Sequence, residues 1–190
     1  MTRLSAERLT ELYAGTLALV ADQGFEKITM DQIAEATRSS KATLYRQWGS
    51  KVALVAEALR CTTAVADEVP DTGSLRGDLH EMVARRARHL DHQADLVGAI
   101  LHALKSDETL RNAVREQIVS TLRQRLDTVV GRAVARGEVS ADNAALPYLH
   151  LLVITPFVLR MLVDDEPVQD AYLSDYLDAV VLTALGAPAA

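Results

Sequence analysis

The sequence predicts an all-α fold of about nine helices. Apolar residues recur at three- and four-residue spacing through most of the chain, glycine, proline and capping residues interrupt it at helix-length intervals, and no segment alternates in strand fashion. With 190 residues, 49% of them apolar, the chain can bury a sizeable core in one or two small domains.

Leu9, Leu12, Tyr13, Thr16, Leu17 and Val20 share one face of a first helix that Ser5 can cap and Gly24 can stop. Phe25 follows in the connection, placed to pack under the next elements. Thr29 with Gln32 three residues on is a capping-box pattern, since each side chain can satisfy a free backbone amide, and it opens a second helix near Met30–Thr37. Ser39 or Ser40 can cap a short third helix from Lys41, and Gly49 with Ser50 ends it before a fourth helix opens at Lys51. The fourth helix, about 51–66, carries Val52, Leu54, Val55, Ala58, Leu59 and Thr62 and ends in a loop containing Pro70. Further helices are expected near 75–91, 95–105, 108–136, 142–164 and 170–185, with caps or breaks at Ser74, Gly137, Asp142 and Pro167. The expected domains are 1–50 and 51–190, the fourth helix linking them.

The net charge of −6 is unevenly spread. Residues 1–60 carry +1 and residues 61–190 carry −7, and between Ala36 and Lys51 stand Arg38, Lys41, Arg46 and Lys51 with no acidic residue. A phosphate-binding surface, if present, is therefore local and near the N-terminus. Two short helices joined by a tight turn suit that location: the first braces on the phosphate backbone and the second offers its N-terminal side chains to base edges in the major groove. Ile33, Ala34 and Leu44 supply a shared core, Ser39, Ser40, Lys41, Thr43, Arg46 and Gln47 supply polar groups, and the methyl of Ala42 can meet a thymine methyl.

The stretch TMDQIAEATRSSKATLYRQWGSKVAL, with its SKATLYR run, Trp48 and Ser50-Lys51 opening the next helix, resembles the DNA-binding region of TetR-type repressors over about residues 8–60. Beyond that the resemblance rests on helix count and the segment PFVLRMLV. It implies a nine-helix subunit, a homodimer made through the last two helices, double-stranded DNA as partner and a small-molecule effector held in the C-terminal domain, with no cofactor or metal. By motif position it implies phosphate contacts at Thr29, Tyr45 and Lys51, a backbone or guanine contact at Lys41, groove-facing roles for Ser39, Thr43, Arg46 and Gln47, and a packing role for Trp48. Arg38 and Ser39 depart from the glycine and small apolar residue common at the family's turn, and an arginine in a left-handed turn costs about 1 kcal/mol.

Leu146–Val163 is apolar almost all round but contains Pro147, His150, Pro156 and Arg160, so it reads as buried protein and not as a membrane span. It fits a helix held between its own core and a second subunit, with Tyr172, Tyr176, Leu177, Val180, Val181 and Leu185 pairing alongside. Candidate effector contacts are His102, Tyr148, His150, Phe157, Arg160 and Met161. Against all but Tyr148 stands a structural role: plain core for Phe157 and Met161, an ion pair or a capped carbonyl for Arg160, satisfied core or boundary histidines for His102 and His150. Few aromatic residues lie beyond the reading head, so an aromatic cage for a cationic drug is poorly supported and a small or aliphatic effector fits better.

Two other readings remain at this level. The first is a metal-dependent enzyme, for which His89 and His92, with Asp91 and Asp95, could offer metal ligands on a helix, although structural zinc sites use firmer four-ligand spacing. A protein-interaction module that lost operator specificity is the second, favoured by the Arg38 turn. Cys61 reads as a small buried hydrophobe and Arg85–His89 as a solvated basic face. One cysteine and no secretory pattern point to the cytoplasm.

Overall fold

The computed structural model describes residues 5–63, 68–87, 94–164, 166 and 169–187. Its helices are α1 (Ala6–Gln23), α2 (Met30–Ala36), α3 (Lys41–Trp48), α4 (Lys51–Thr63), α5 (Leu75–Ala87) and α6 (Ala94–Ser106). Then come α7 (108–135), α8 (Leu149–Leu162) and α9 (170–185), which makes nine helices among the described residues. Both α7 and α9 contain one wider π turn, Arg115–Val119 and Leu177–Leu182, that no local residue pattern announces.

The chain divides into two compact units, Met1–Ala64 with Gln93–Ile118 and Val65–His92 with Val119–Ala190. This differs from the division at residue 50, and the reason lies in the core. Leu96, Ile100 and Ala103 of α6 and Leu110 of α7 join Leu12, Leu17, Val20, Leu54, Val55 and Ala58 in one buried cluster, so α2 and α3 are carried on α1, α4 and α6 together. Removing that apolar surface from water at about 25 cal/mol per Å² is what holds such short helices as α2 and α3 in place.

In the second unit α5 packs on α9 and on the Ser120–Ala135 part of α7, which also meets α8. Its core includes Leu79, Leu126, Val129, Phe157, Leu177 and Val181. The helix expected from residue 142 begins later. Asn143 accepts the Ala145 amide at 2.8 Å, and a single 3-10 turn, Leu146–Tyr148, carrying Pro147 leads into α8. The helix then runs through Pro156, which has no N–H for the Leu152 carbonyl. No helix among the described residues is long and apolar enough to cross a membrane.

Candidate nucleic-acid interface

The turn between α2 and α3 is the centre of the site. Thr29 and Gln32 form the full capping box, with the Thr29 amide donating to Gln32 Oε1 at 2.9 Å and the Gln32 amide to Thr29 Oγ1 at 3.3 Å. At the other end α2 closes in a Schellman turn: the Ser39 amide donates to the Ala34 carbonyl at 2.8 Å and the Arg38 amide to the Glu35 carbonyl at 3.1 Å. Arg38 occupies the left-handed position at φ 49°, where glycine is usual. The turn therefore keeps ordinary hydrogen bonding despite its unusual residue, which removes the feature favouring an interaction module.

A residue outside the motif supports this turn. Arg8 of α1 donates through Nη2 to the Thr37 carbonyl, to the Arg38 carbonyl at 3.3 Å and to Ser39 Oγ at 3.2 Å. Free carbonyls at a helix C-terminus attract cations, and Arg8 supplies one from 29 residues away in sequence. Close approach of α1 is helped by Gly15, where an added Cβ would lie 3.2 Å from Thr37 Cγ2. Nothing in the local pattern signals either contact.

Ser40 caps α3, accepting the Thr43 amide at 3.0 Å while its hydroxyl lies 2.8 Å from Thr43 Oγ1. Leu44 is fully buried and pins the helix from below, while Trp48 meets Tyr13 edge to face at 6.0 Å between centroids. With those two turned inward, Ser40, Lys41, Ala42, Tyr45, Arg46 and Gln47 are exposed, and Ser39 and Thr43 half-exposed. Thr29 is exposed at the head of α2. Gly49, at φ 75°, lets the chain break from α3 into α4, whose first amides are met by Ser50.

Two charges are less free than the sequence suggests. Lys41 pairs with Asp31 of α2 at 2.7 Å, and that hydrogen bond raises its pKa. Lys51, expected at a phosphate, is turned inward: its ammonium donates to the carbonyls of Phe25 at 2.7 Å and Ile28 at 2.9 Å and lies over the Phe25 ring. Burial lowers its pKa, offset in part by Asp107 and Glu26. Its place at the start of α4, beside the α1–α2 connection, makes it a brace of the reading head.

The residues suggested for an effector divide between the two units. His102 is exposed and belongs to the first unit, the other five to the second. Tyr148 is 60% exposed on the surface, while Phe157 and Met161 are core. His150 accepts from Arg123 at 2.8 Å, and burial together with that guanidinium keeps its pKa low. Arg160 pairs with Glu166 and Asp164 and lies 4.4 Å over the Tyr172 ring. Cys61 is exposed, not buried. Of the suggested metal ligands, His89, Asp91 and His92 lie outside the described residues.

Residues 12–58 match the family profile "Bacterial regulatory proteins, tetR family", and residues 69–180 match "Tetracyclin repressor-like, C-terminal domain". The chain belongs to the TetR family. A TetR-family protein named as a DNA-binding transcriptional repressor in Mycobacteroides abscessus is 31% identical over 94% of each chain. An HTH-type transcriptional regulator of Mycobacterium tuberculosis is 30% identical over 94% of this chain and 88% of its own. The fold is shared with Salmonella enterica GusR at a TM-score of 0.71, with 19% identity over 97% of this chain and 100% of that one. This TetR-family chain is a DNA-binding transcriptional regulator, and the exposed face of α3 lies within the profile-matched region.

Proposed function

We propose that the protein is a repressor that grips a palindromic operator as a homodimer and leaves it when a small molecule binds the second unit. The observation that carries the DNA-reading half is the sidedness of α3: one helix of eight residues, anchored by buried Leu44, with Lys41, Ala42, Tyr45, Arg46 and Gln47 outward. A rigid, one-sided helix of this kind fits the major groove, which an α-helix just fills. Repression follows the role named for the Mycobacteroides abscessus relative.

Dimerisation through α8 and α9 is supported by an exposed apolar stripe. Tyr148, Leu151, Leu159 and Leu162 recur at helical spacing at or along α8 and are exposed at 60%, 51%, 49% and 38%, with Val180 of α9 at 40%. Large apolar side chains grouped on adjacent final helices suit a symmetric four-helix contact. Two reading heads so joined meet half-sites about 34–36 Å apart or a multiple of that.

The effector role rests on the family's typical behaviour and on linkage. A ligand favouring a dimer with misplaced heads weakens DNA binding by the difference in its two affinities. Footprinting and gel shift on the DNA upstream of the protein's own gene, with mass determination in solution, test the whole reading. Protection of two symmetric half-sites by a two-chain species is expected. No palindrome bound at low salt, or a single subunit at micromolar concentration, overturns it.

A further inference from the structure

Helix α5 carries an arginine where its pattern calls for an apolar residue. Leu75, Leu79 and Val83 are buried at four-residue intervals, Met82 lies beside them, and Arg86, seven residues after Leu79, returns to the line they draw along the helix. Its side chain is half-buried there, and burial pushes the guanidinium down to about 10, still a cation at neutral pH. Among the described residues Arg86 has no hydrogen bond, ion pair or ring contact.

Its neighbours behave otherwise. Arg85 bonds Glu81, Arg76 bonds Asp178, and Arg136 pairs with Glu138 and Asp78. A carboxylate partner is thus the usual arrangement around α5, and Arg86 departs from it. A desolvated cation without a counter-charge is unfavourable in the free protein and gains most from an anion that arrives with its own bidentate oxygens.

We infer that Arg86 reads the head group of the effector, and that the effector is a small aliphatic monoanion, a carboxylate in the simplest case. One guanidinium balances one negative charge. Of the apolar side chains flanking it on α5, Leu79 and Val83 are packed in the core and Met82 is half-buried beside it, and the second unit offers few aromatic rings, so the body of the ligand is aliphatic. This assignment rests on the effector reading above and adds the ligand class and the residue that recognises it.

Decanoate, decanol and inorganic phosphate serve as probes for the full-length protein and for Arg86→Met and Arg86→Lys. Calorimetry and thermal melts should show decanoate binding and raising Tm, with decanol and phosphate weaker. Arg86→Met should bind decanoate about tenfold or more weakly, as loss of a charge-assisted hydrogen bond implies, and Arg86→Lys should recover part of the affinity. Without ligand, Arg86→Met should melt about 2–4 °C higher, because it removes an uncompensated charge. A merely structural arginine would give a lower melt. Equal binding of decanol and decanoate, equal binding of phosphate and decanoate, no binding of decanoate, or unchanged affinity in Arg86→Met overturns the inference. Operator release separates the two claims. Decanoate bound through Arg86 that leaves DNA binding intact supports the anion site and defeats the effector reading, whereas release by decanol alone does the reverse.

Discussion

The ammonium of Lys51 lies 2.7 Å from the carbonyl oxygen of Phe25 and 4.3 Å from the centre of the same residue's ring. The first residue of α4 thereby fixes the connection from which α2 starts. Lys51→Met should remove these bonds and destabilise the head by about 2 kcal/mol, lowering Tm by about 4–8 °C. DNA affinity should fall for all sequences alike while its salt dependence is unchanged, in contrast to Lys41→Ala, which removes a cation assigned to the DNA backbone. In a dimer, loss of two true phosphate contacts shallows the salt slope by about 2. Salt titrations of both variants by fluorescence anisotropy check this, and an equal change in slope would return Lys51 to the phosphates.

Arg8 holds the turn through the Thr37 and Arg38 carbonyls. Arg8→Met leaves the Thr37 and Arg38 carbonyls without their cation, a loss of about 1–3 kcal/mol. Because the turn sets the angle between α2 and α3, base preference should relax along with affinity. Selection of operator sequences by the variant checks this: a uniform loss with preference intact would make Arg8 a simple stability residue.

Arg38→Gly should stabilise the protein. The backbone at φ 49° is held in the left-handed region, which costs a residue with a Cβ about 1 kcal/mol, so Tm should rise by about 2–4 °C. Thermal denaturation decides it, and a fall would mean that the Arg38 side chain supports the turn.

Asp178 gives the second unit a pH signature. Hydrogen bonds from Arg76 at 2.6 and 2.9 Å and from His80 at 2.9 Å hold its carboxyl well below the usual carboxylate range. A carboxylate depressed on folding stabilises fully above its unfolded value, about 3.9, and that contribution is lost as pH falls below it. The Tm difference between wild type and Asp178→Asn should therefore be steady from pH 7 to pH 5 and shrink below about pH 4. A difference that stays the same at pH 2.5 would contradict the clasp.

Local chemistry made the reading head legible. The Thr29–Gln32 box, the Ser40 cap, the Gly24 stop and the inward Leu44 are each written within four residues of the feature they create, so periodicity and capping rules reach them. Contacts made across the fold were not legible. Arg8 reads as an ordinary helix-surface residue until α1 is laid against the end of α2, and Lys51 as a surface cation until the Phe25 and Ile28 carbonyls are seen beside it. The grouping of α6 with the head depends on Leu96 and Ile100 finding the core of α1 and α4, a choice made by packing. Arg160 shows the converse, its structural pairing foreseeable from Asp164 and Glu166 lying four and six residues away.

The proposed operator recognition depends on α3 as the element that reads sequence. The most direct test is the base preference of Thr43→Ala and Gln47→Ala across a library of half-site variants. Each should change discrimination by about 1–3 kcal/mol at one or two base pairs, mirrored in both half-sites, with the other positions unaffected. Preference profiles indistinguishable from wild type, or a loss spread evenly over every position, would contradict it.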